Sequence, residues 1–321
     1  VKVVTVYPRP EIRVTAIPDT VICNGQDITL QVRNPNYQLL GGDWMYDLVV
    51  TDTSGFISGV NQDSLVVPNG NIYSFITDNL FNSDTSAHSV TYHFTPMISP
   101  DDDDPICRNA ETTSIVVWVN PTPRALVSFE DSILCNNESL EFFVDDGMGF
   151  VQGYKKFRVI AFYNSQNLNV ISRASNTPDT LDIGDSFTDT YENLTNEDVS
   201  VTYYFYPLIL DDRDGYHLRC NNGVYYDTTI TIHPTPLLSA GIEHAVVCDS
   251  TWITVDVSDE LDYVGSAEKV YQLYPIYSTG DVSGLISDTI ELGAGQNFDN
   301  YLVNETPTVQ VVQYRLVARL R

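Results

Sequence analysis

Apolar and polar residues alternate with a period of two along most of this chain. Ile28, Leu30 and Val32 form one such run, Leu140, Phe142 and Val144 a second, and Ile253, Val255 and Val257 a third. Tyr46, Leu48 and Val50 alternate with a polar partner face, as do Ile115, Val117 and Val119. Successive side chains of a strand point to opposite faces, so each run predicts a strand with one buried face. Gly, Asn, Asp and Pro separate the runs as turn residues do. Helical spacing of apolar positions is nowhere sustained, and the fold class expected is all-β.

The runs recur on one ruler. A Pro-x-Pro motif follows a strand-like run at Pro8-Arg9-Pro10, Pro121-Thr122-Pro123 and Pro234-Thr235-Pro236, with the same interval between successive copies. Cys23, Cys135 and Cys248 each follow the first of those prolines at a near-constant distance along the chain. Val90, Tyr92, Phe94 and Pro96 reappear as Val201, Tyr203, Phe205 and Pro207, and then as Val312, Tyr314, Leu316 and Ala318, again at equal steps. Several landmarks sharing one period make an internal repeat. A unit of about 112 residues has the size of an immunoglobulin-like antiparallel sandwich. The division expected is residues 1–7 as the closing strand of a preceding repeat, 8–120 as repeat 1, 121–233 as repeat 2, and 234–321 as repeat 3, cut before its second cysteine and last strand. A strand spans roughly 20–30 Å and Pro-x-Pro favours extended backbone, so the expected array is a semi-rigid rod advancing about 40 Å per repeat.

Composition narrows the function. Of 321 residues, 43% are hydrophobic, which supports packed cores. Tyr is abundant at 20, and the net charge is -27. So anionic a surface repels phosphate backbones and anionic headgroups, which disfavours nucleic acid as a partner and simple membrane adsorption. No apolar run reaches the roughly 18 residues of a spanning helix.

The cysteines carry the next expectation. Cys107 and Cys220 follow Cys23 and Cys135 at nearly equal intervals, just before the closing strand. The spacing points to one disulfide per repeat, Cys23–Cys107 and Cys135–Cys220, with the partner of Cys248 beyond residue 321. Five unpaired thiols are the competing reading. Zinc is disfavoured, because there is no CxxC and no matched His pair. Paired cysteines imply an oxidising, extracellular location.

The Pro-x-Pro junction, the early Cys before an Ile-x-Leu-x-Val strand, and the Val-x-Tyr-x-Phe-x-Pro run resemble the PKD-like, Ig-like tandem repeats of giant Bacteroidota surface proteins. These include SprB-type gliding-motility adhesins exported by type IX secretion. The resemblance covers essentially the whole chain. It departs at the turn, where Gly42-Asp43-Trp44-Met45-Tyr46-Asp47 only faintly echoes the PKD motif and repeats 2 and 3 lack it. The resemblance implies a non-enzymatic adhesin filament serving attachment or gliding. Its partners would be adjacent repeats, the outer-membrane secretion and motility machinery, and an extracellular surface or polysaccharide. A passive stalk presenting a distant domain, or a Ca²⁺- or glycan-binding module, are the alternatives.

Candidate chemistry is sparse. The five histidines keep no common position, and G-x-S-x-G, H-E-x-x-H and phosphate-binding glycine loops are absent. Asp101, Asp102, Asp103 and Asp104, and Asp211, Asp212 and Asp214 with Arg213 among them, occupy one loop in repeats 1 and 2. Two readings stay open: an oxygen cage for Ca²⁺, the one cofactor considered, or solvated anionic loops. An Asp-Ser/Thr-aliphatic triplet places hydroxyls at Thr20, Ser64, Ser132, Thr180 and Thr289. It looks like the O-glycosylation sequence of exported Bacteroidota proteins, and turn formation before a strand explains it equally. Residues 9–119 hold no lysine, which excludes a lysine isopeptide cross-link in repeat 1.

Overall fold

The computed structural model describes residues 2–38, 42–61, 65–67, 71–99, 107–108, 110–172, 180–211, 217–260, 262–293 and 295–321. Every regular element among them is a β-strand. The first group is β1 (Arg13–Ile17), β2 (Val21–Cys23), β3 (Gln26–Arg33), β4 (Asp43–Asp52), β5 (Ile57–Ser58), β6 (Leu65–Val67), β7 (Tyr73–Asn82), β8 (His88–Ser99) and β9 (Thr113–Asn120). The second is β10 (Leu126–Ser128), β11 (Ile133–Leu134), β12 (Ser139–Asp145), β13 (Tyr154–Phe162), β14 (Leu168–Ser172), β15 (Thr180–Asp182), β16 (Ser186–Asn193), β17 (Val199–Leu210), β18 (Leu218–Cys220) and β19 (Tyr226–Ile232). The third is β20 (Leu238–Ile242), β21 (Thr251–Asp259), β22 (Lys269–Ser278), β23 (Val282–Ser283), β24 (Ile290–Gly293), β25 (Phe298–Asn304) and β26 (Val312–Leu320).

Each group folds into two sheets over its own core. In the first, β1-β3-β7-β5 faces β2-β9-β8-β4-β6. The second repeats this as β10-β12-β16-β14 and β11-β19-β17-β13-β15, with β18 added beside β17. The third has β20-β21-β25-β23 and a three-stranded β24-β22-β26. Pairing is antiparallel except where β2 and β11 run parallel to β9 and β19. This is the immunoglobulin-like sandwich.

The alternating runs become the inner faces. Ile28, Leu30 and Val32 of β3 and Leu140, Phe142 and Val144 of β12 are buried, as are Ile253, Val255 and Val257 of β21. Fully burying one such side chain stabilises by about 1.5–3 kcal/mol, so a charge on these faces would break the sheet packing. A buried polar bridge joins the sheets in each sandwich. Tyr92 Oη donates to Asp78 Oδ2 at 2.6 Å, Tyr203 Oη donates to Asp189 Oδ2 at 2.6 Å, and Asn300 Nδ2 donates to Tyr314 Oη at 3.2 Å. Burial, then the nearby carboxylate, pushes the Tyr92 phenol far up; burial, then Tyr191 and Asp189, does so for Tyr203. Both therefore stay protonated donors.

Residues 2–12 form no strand, unlike the closing strand expected over residues 1–7. A closing strand needs a β8-like neighbour, and in the first sandwich β8 is already paired with β9 from His88↔Val119 to Phe94↔Thr113.

Candidate functional site: the sandwich junctions

The candidate site is built where consecutive sandwiches meet, and its foundation is an asparagine corner at the end of β7, β16 and β25. Asn82 Nδ2 donates to Val119 O and Ser86 O, both at 2.8 Å, tying that corner to the end of β9. Asn193 does the same with Ile232 O at 2.9 Å and Glu197 O at 2.8 Å, and Asn304 reaches Thr308 O at 2.8 Å. Asn24 Oδ1 accepts the Asn82 amide at 2.7 Å, Asn136 Oδ1 the Asn193 amide at 2.7 Å, and Asp249 Oδ1 the Asn304 amide at 2.7 Å. The residue just after each early cysteine therefore fixes the corner. The N-x-Thr sequences at Asn193 and Asn304 are structural turns, in which the Asn side chain accepts from the following Thr amide.

At the first junction the corner bears a disulfide. Cys23 bonds Cys220, 197 residues away and in the next sandwich. The expected Cys23–Cys107 and Cys135–Cys220 pairs do not form, and Cys107, Cys135 and Cys248 are free thiols. The reason is the direction of β8. Cys23 pairs with Asn120 beside the His88 end of that strand, whereas Cys107 bridges Ile98 near its other end. At about 3.3 Å per residue, His88 and Ile98 lie roughly 33 Å apart, while bonded cysteines need Cα atoms within about 7 Å. Cys135 and Cys220 are separated along β17 in the same way, beside Ile232 and Ile209. Each of the first two sandwiches carries its first cysteine at one pole and its second at the other.

Polar and aromatic contacts seat the clasp. Arg219, with its side chain only 7% exposed, meets Asp211 at 2.9 Å and Asp19 at 3.7 Å, and donates to Val21 O at 3.1 Å. Asn222 Nδ2 donates to Asn24 O at 2.9 Å. Asn120 Nδ2 donates to Gln152 O at 3.0 Å while its Oδ1 accepts the Gln152 amide at 2.8 Å. Backbone joins backbone through Ala87 N to Phe150 O at 2.6 Å and Gly149 N to Thr85 O at 3.1 Å, and Trp118 packs edge-on against Phe150. Gly149 permits the approach, since a Cβ there would collide with Ser86 of the first sandwich.

The second junction docks the same elements with different side chains. The loop before β22 meets the corner before β17 through Val264 N to Asn196 O at 3.1 Å. Asp198 accepts from Tyr263 Oη at 2.7 Å and the Ser266 amide at 3.0 Å, and pairs with His233 Nδ1 at 2.6 Å. Burial alone would raise the Asp198 carboxyl, but Ser266, His233 and Tyr263 outweigh it and hold it below its ordinary value. Gly265 makes room, because a Cβ there would lie 2.6 Å from Asp198 Oδ2.

The other expected site residues are scattered. Asp101, Asp102, Asp103, Asp104, Asp212, Asp214 and Ser64 lie outside the described residues. Asp211 is buried and faces the Arg219 cation. Among the described residues no three His, Cys, Asp or Glu side chains gather as a metal site. Ser132, Thr180 and Thr289 are exposed, while Thr20 is half-buried beside the clasp and its carbonyl accepts from Trp118 N. Sequence reasoning missed Arg219, the asparagine corners and the Asp198 cluster. The equal spacing of Asn82, Asn193 and Asn304, in step with the Val-x-Tyr runs, was the signal that could have found the corners.

No family model matches the chain, and no curated protein does. Among solved structures, the Escherichia coli adhesin FdeC is 13% identical, covering 98% of this chain and 96% of that one, with TM-score 0.41. The Yersinia pseudotuberculosis adhesin InvE is 13% identical over 78% and 68%, TM-score 0.28. An ICAM-5 D1–D4 ectodomain fragment is 12% identical over 97% and 75%, TM-score 0.34. Scores of this size say nothing of what the chain binds, and the fold rests on its own strand pairing.

Proposed function

We propose that this chain is a tension-bearing segment of a cell-surface adhesin filament, held outside the cell and serving attachment or gliding without a catalytic step. The observation that carries this reading is the Cys23–Cys220 bond between consecutive sandwiches. A protein that needs only to space two domains gains little from it, whereas one under tension gains a covalent bypass. A disulfide also fits an oxidising exterior. In this reading the partners are neighbouring repeats, outer-membrane secretion and motility machinery, and an extracellular surface or polysaccharide, with Ser132, Thr180 and Thr289 open to glycan attachment.

A specific feature favours surface contact by the segment itself over a passive stalk. On the second sandwich Phe162 meets Tyr204 edge-on, and Tyr204 and Tyr206 both pack against Tyr225. Phe162 is 59% and Tyr225 49% exposed. Such a row offers flat apolar faces with hydroxyl rims, the chemistry that stacks on sugar rings. Beads coated with the segment should detach from glass or polysaccharide gels at higher force than bare beads. The joint Tyr206→Ala, Tyr225→Ala change should remove the excess on polysaccharide; detachment indistinguishable from bare beads on every surface leaves only the stalk.

A further inference from the structure

We propose that Cys135 is the receiving half of a second clasp, shaped to bond a cysteine presented on a β18-like hairpin by a sandwich docked against its corner. The inference is independent of any adhesive role. Its first support is the socket. The Cys23 amide donates to Gln26 Oε1 at 3.0 Å and the Cys135 amide to Glu138 Oε2 at 2.9 Å. Asn24 Nδ2 reaches Thr122 Oγ1 at 2.8 Å, and Asn136 Nδ2 reaches Thr235 Oγ1 at 2.7 Å. With the corners at Asn82 and Asn193, these hydrogen bonds around bonded Cys23 recur one for one around free Cys135.

The second support is docking. Residues 149–150 of the second sandwich touch the corner at Thr85 and Ala87, and residue 264 of the third touches the corresponding corner at Asn196. The same loops meeting the same corners place consecutive sandwiches alike. The third support is register. Cys220 lies opposite Ile209 of β17 and Cys107 opposite Ile98 of β8, and Leu320 stands at the corresponding place on β26. A hairpin in that register after β26 would bring its cysteine to the pole that faces Cys135, not to Cys248 at the other pole. By the same register, Cys107 stands in the first sandwich where Cys220 stands in the second. Clasps so arranged overlap, because Cys135 lies inside the loop closed by Cys23–Cys220.

The bond forms by thiol–disulfide exchange with a small disulfide such as oxidised glutathione. One cysteine thiolate attacks it and expels one glutathione thiolate; the second cysteine thiolate attacks the mixed disulfide and expels the other. Two protein thiols are oxidised and one glutathione disulfide is reduced to two thiols, the protons lost by the protein thiols being taken up by the two expelled glutathione thiolates.

The test appends the sequence of residues 211–223 directly after Arg321 and refolds the chain with oxidised glutathione at about pH 9, since burial and the Glu138 carboxylate hold the Cys135 thiol above its ordinary value. Non-reduced peptide mapping should find the appended cysteine bonded to Cys135 beside an intact Cys23–Cys220. Cys248→Ala should leave that bond in place, and Cys135→Ala should leave the appended thiol free. Linkage to Cys248, or a free appended thiol in a chain that has closed Cys23–Cys220, overturns the proposal. The unaltered chain gives a second readout. A synthetic hairpin of residues 208–223, activated as a mixed disulfide, should label Cys135 over Cys107 by about tenfold more than oxidised glutathione does. Equal ratios overturn the proposal as well.

Discussion

The two junctions are built on one backbone plan and held by different chemistry. At both, the loop that joins β12 to β13, or β21 to β22, docks on the asparagine corner of the sandwich before it. At the first, Ala87 occupies the corner, Trp118 packs on Phe150, and a disulfide with a buried arginine closes the contact. At the second, Asp198 stands where Ala87 does, and gathers His233, Tyr263 and Ser266. The comparison separates placement from strength. Placement comes from backbone and corner asparagines, which the repeat preserves, while strength is set by a few side chains that it varies. The first junction is closed by a covalent bond; the second is closed by contacts that converge on one carboxylate.

The largest expected effect concerns the path of force. Tension entering before Cys23 crosses directly to Cys220, so the chain between them cannot extend while the bond lasts. In single-molecule pulling, reduction should release roughly 650–700 Å of additional contour, at about 3.3–3.6 Å per residue over the 197-residue separation. Release confined to one sandwich would mean that the within-repeat pairing holds in solution. Next in size is the equilibrium effect. Replacing Cys23 and Cys220 by Ala should cost up to about 5 kcal/mol in the chain-entropy picture for a loop of this length. Denaturant unfolding should show the first two sandwiches separating into two transitions, with the third unchanged.

The contrast between the junctions also explains what the sequence disclosed. Period-two alternation found β3, β12, β21, β8, β17 and β26, because a half-buried strand writes its geometry directly into side-chain type. Equal spacing found the repeat. The same spacing misled on the cysteines, since an interval shared by two repeats records that two residues recur together and is blind to which pole each occupies. Only strand direction decides that, and Cys23 and Cys107 lie at opposite ends of β8. The Asp198 cluster was illegible for another reason. His233 and Asp198 in the second sandwich and Tyr263 in the third stand on none of the recurring landmarks, so no periodicity marks them, and each looks like any surface polar residue until two domains meet.

Two smaller changes test the side chains one at a time. Arg219→Met takes the cation from Asp211 and the donor from Val21 O, and should cost about 2–3 kcal/mol. With the disulfide intact, its loss should appear as faster reduction of Cys23–Cys220 by dithiothreitol, and an unchanged rate would make the arginine incidental to the clasp. Tyr203→Phe removes one of the two phenol donors to Asp189 inside the second core and should cost about 1–3 kcal/mol, read as a lower denaturation midpoint for that sandwich alone.

The smallest effect is the most selective. A carboxyl whose folded pKa lies below its unfolded value of about 3.9 contributes stability that is complete above that value and lost as pH falls through the folded one. Asp198 is such a group, so acid should loosen the second junction while leaving the first, where Ala87 stands at the corner and the Cys23–Cys220 bond closes the contact, in place. The Val264 amide, which donates to Asn196 O across the second junction, is the reporter, and the Gly149 amide, which donates to Thr85 O across the first, is its control. On acidification from pH 6 toward pH 3, protection from hydrogen exchange, corrected for intrinsic rate, should fall at Val264 and persist at Gly149. Asp198→Asn should abolish the difference, because a neutral amide has no proton to gain. Parallel loss at both amides would instead place the acid sensitivity in the sandwiches themselves rather than at the junction.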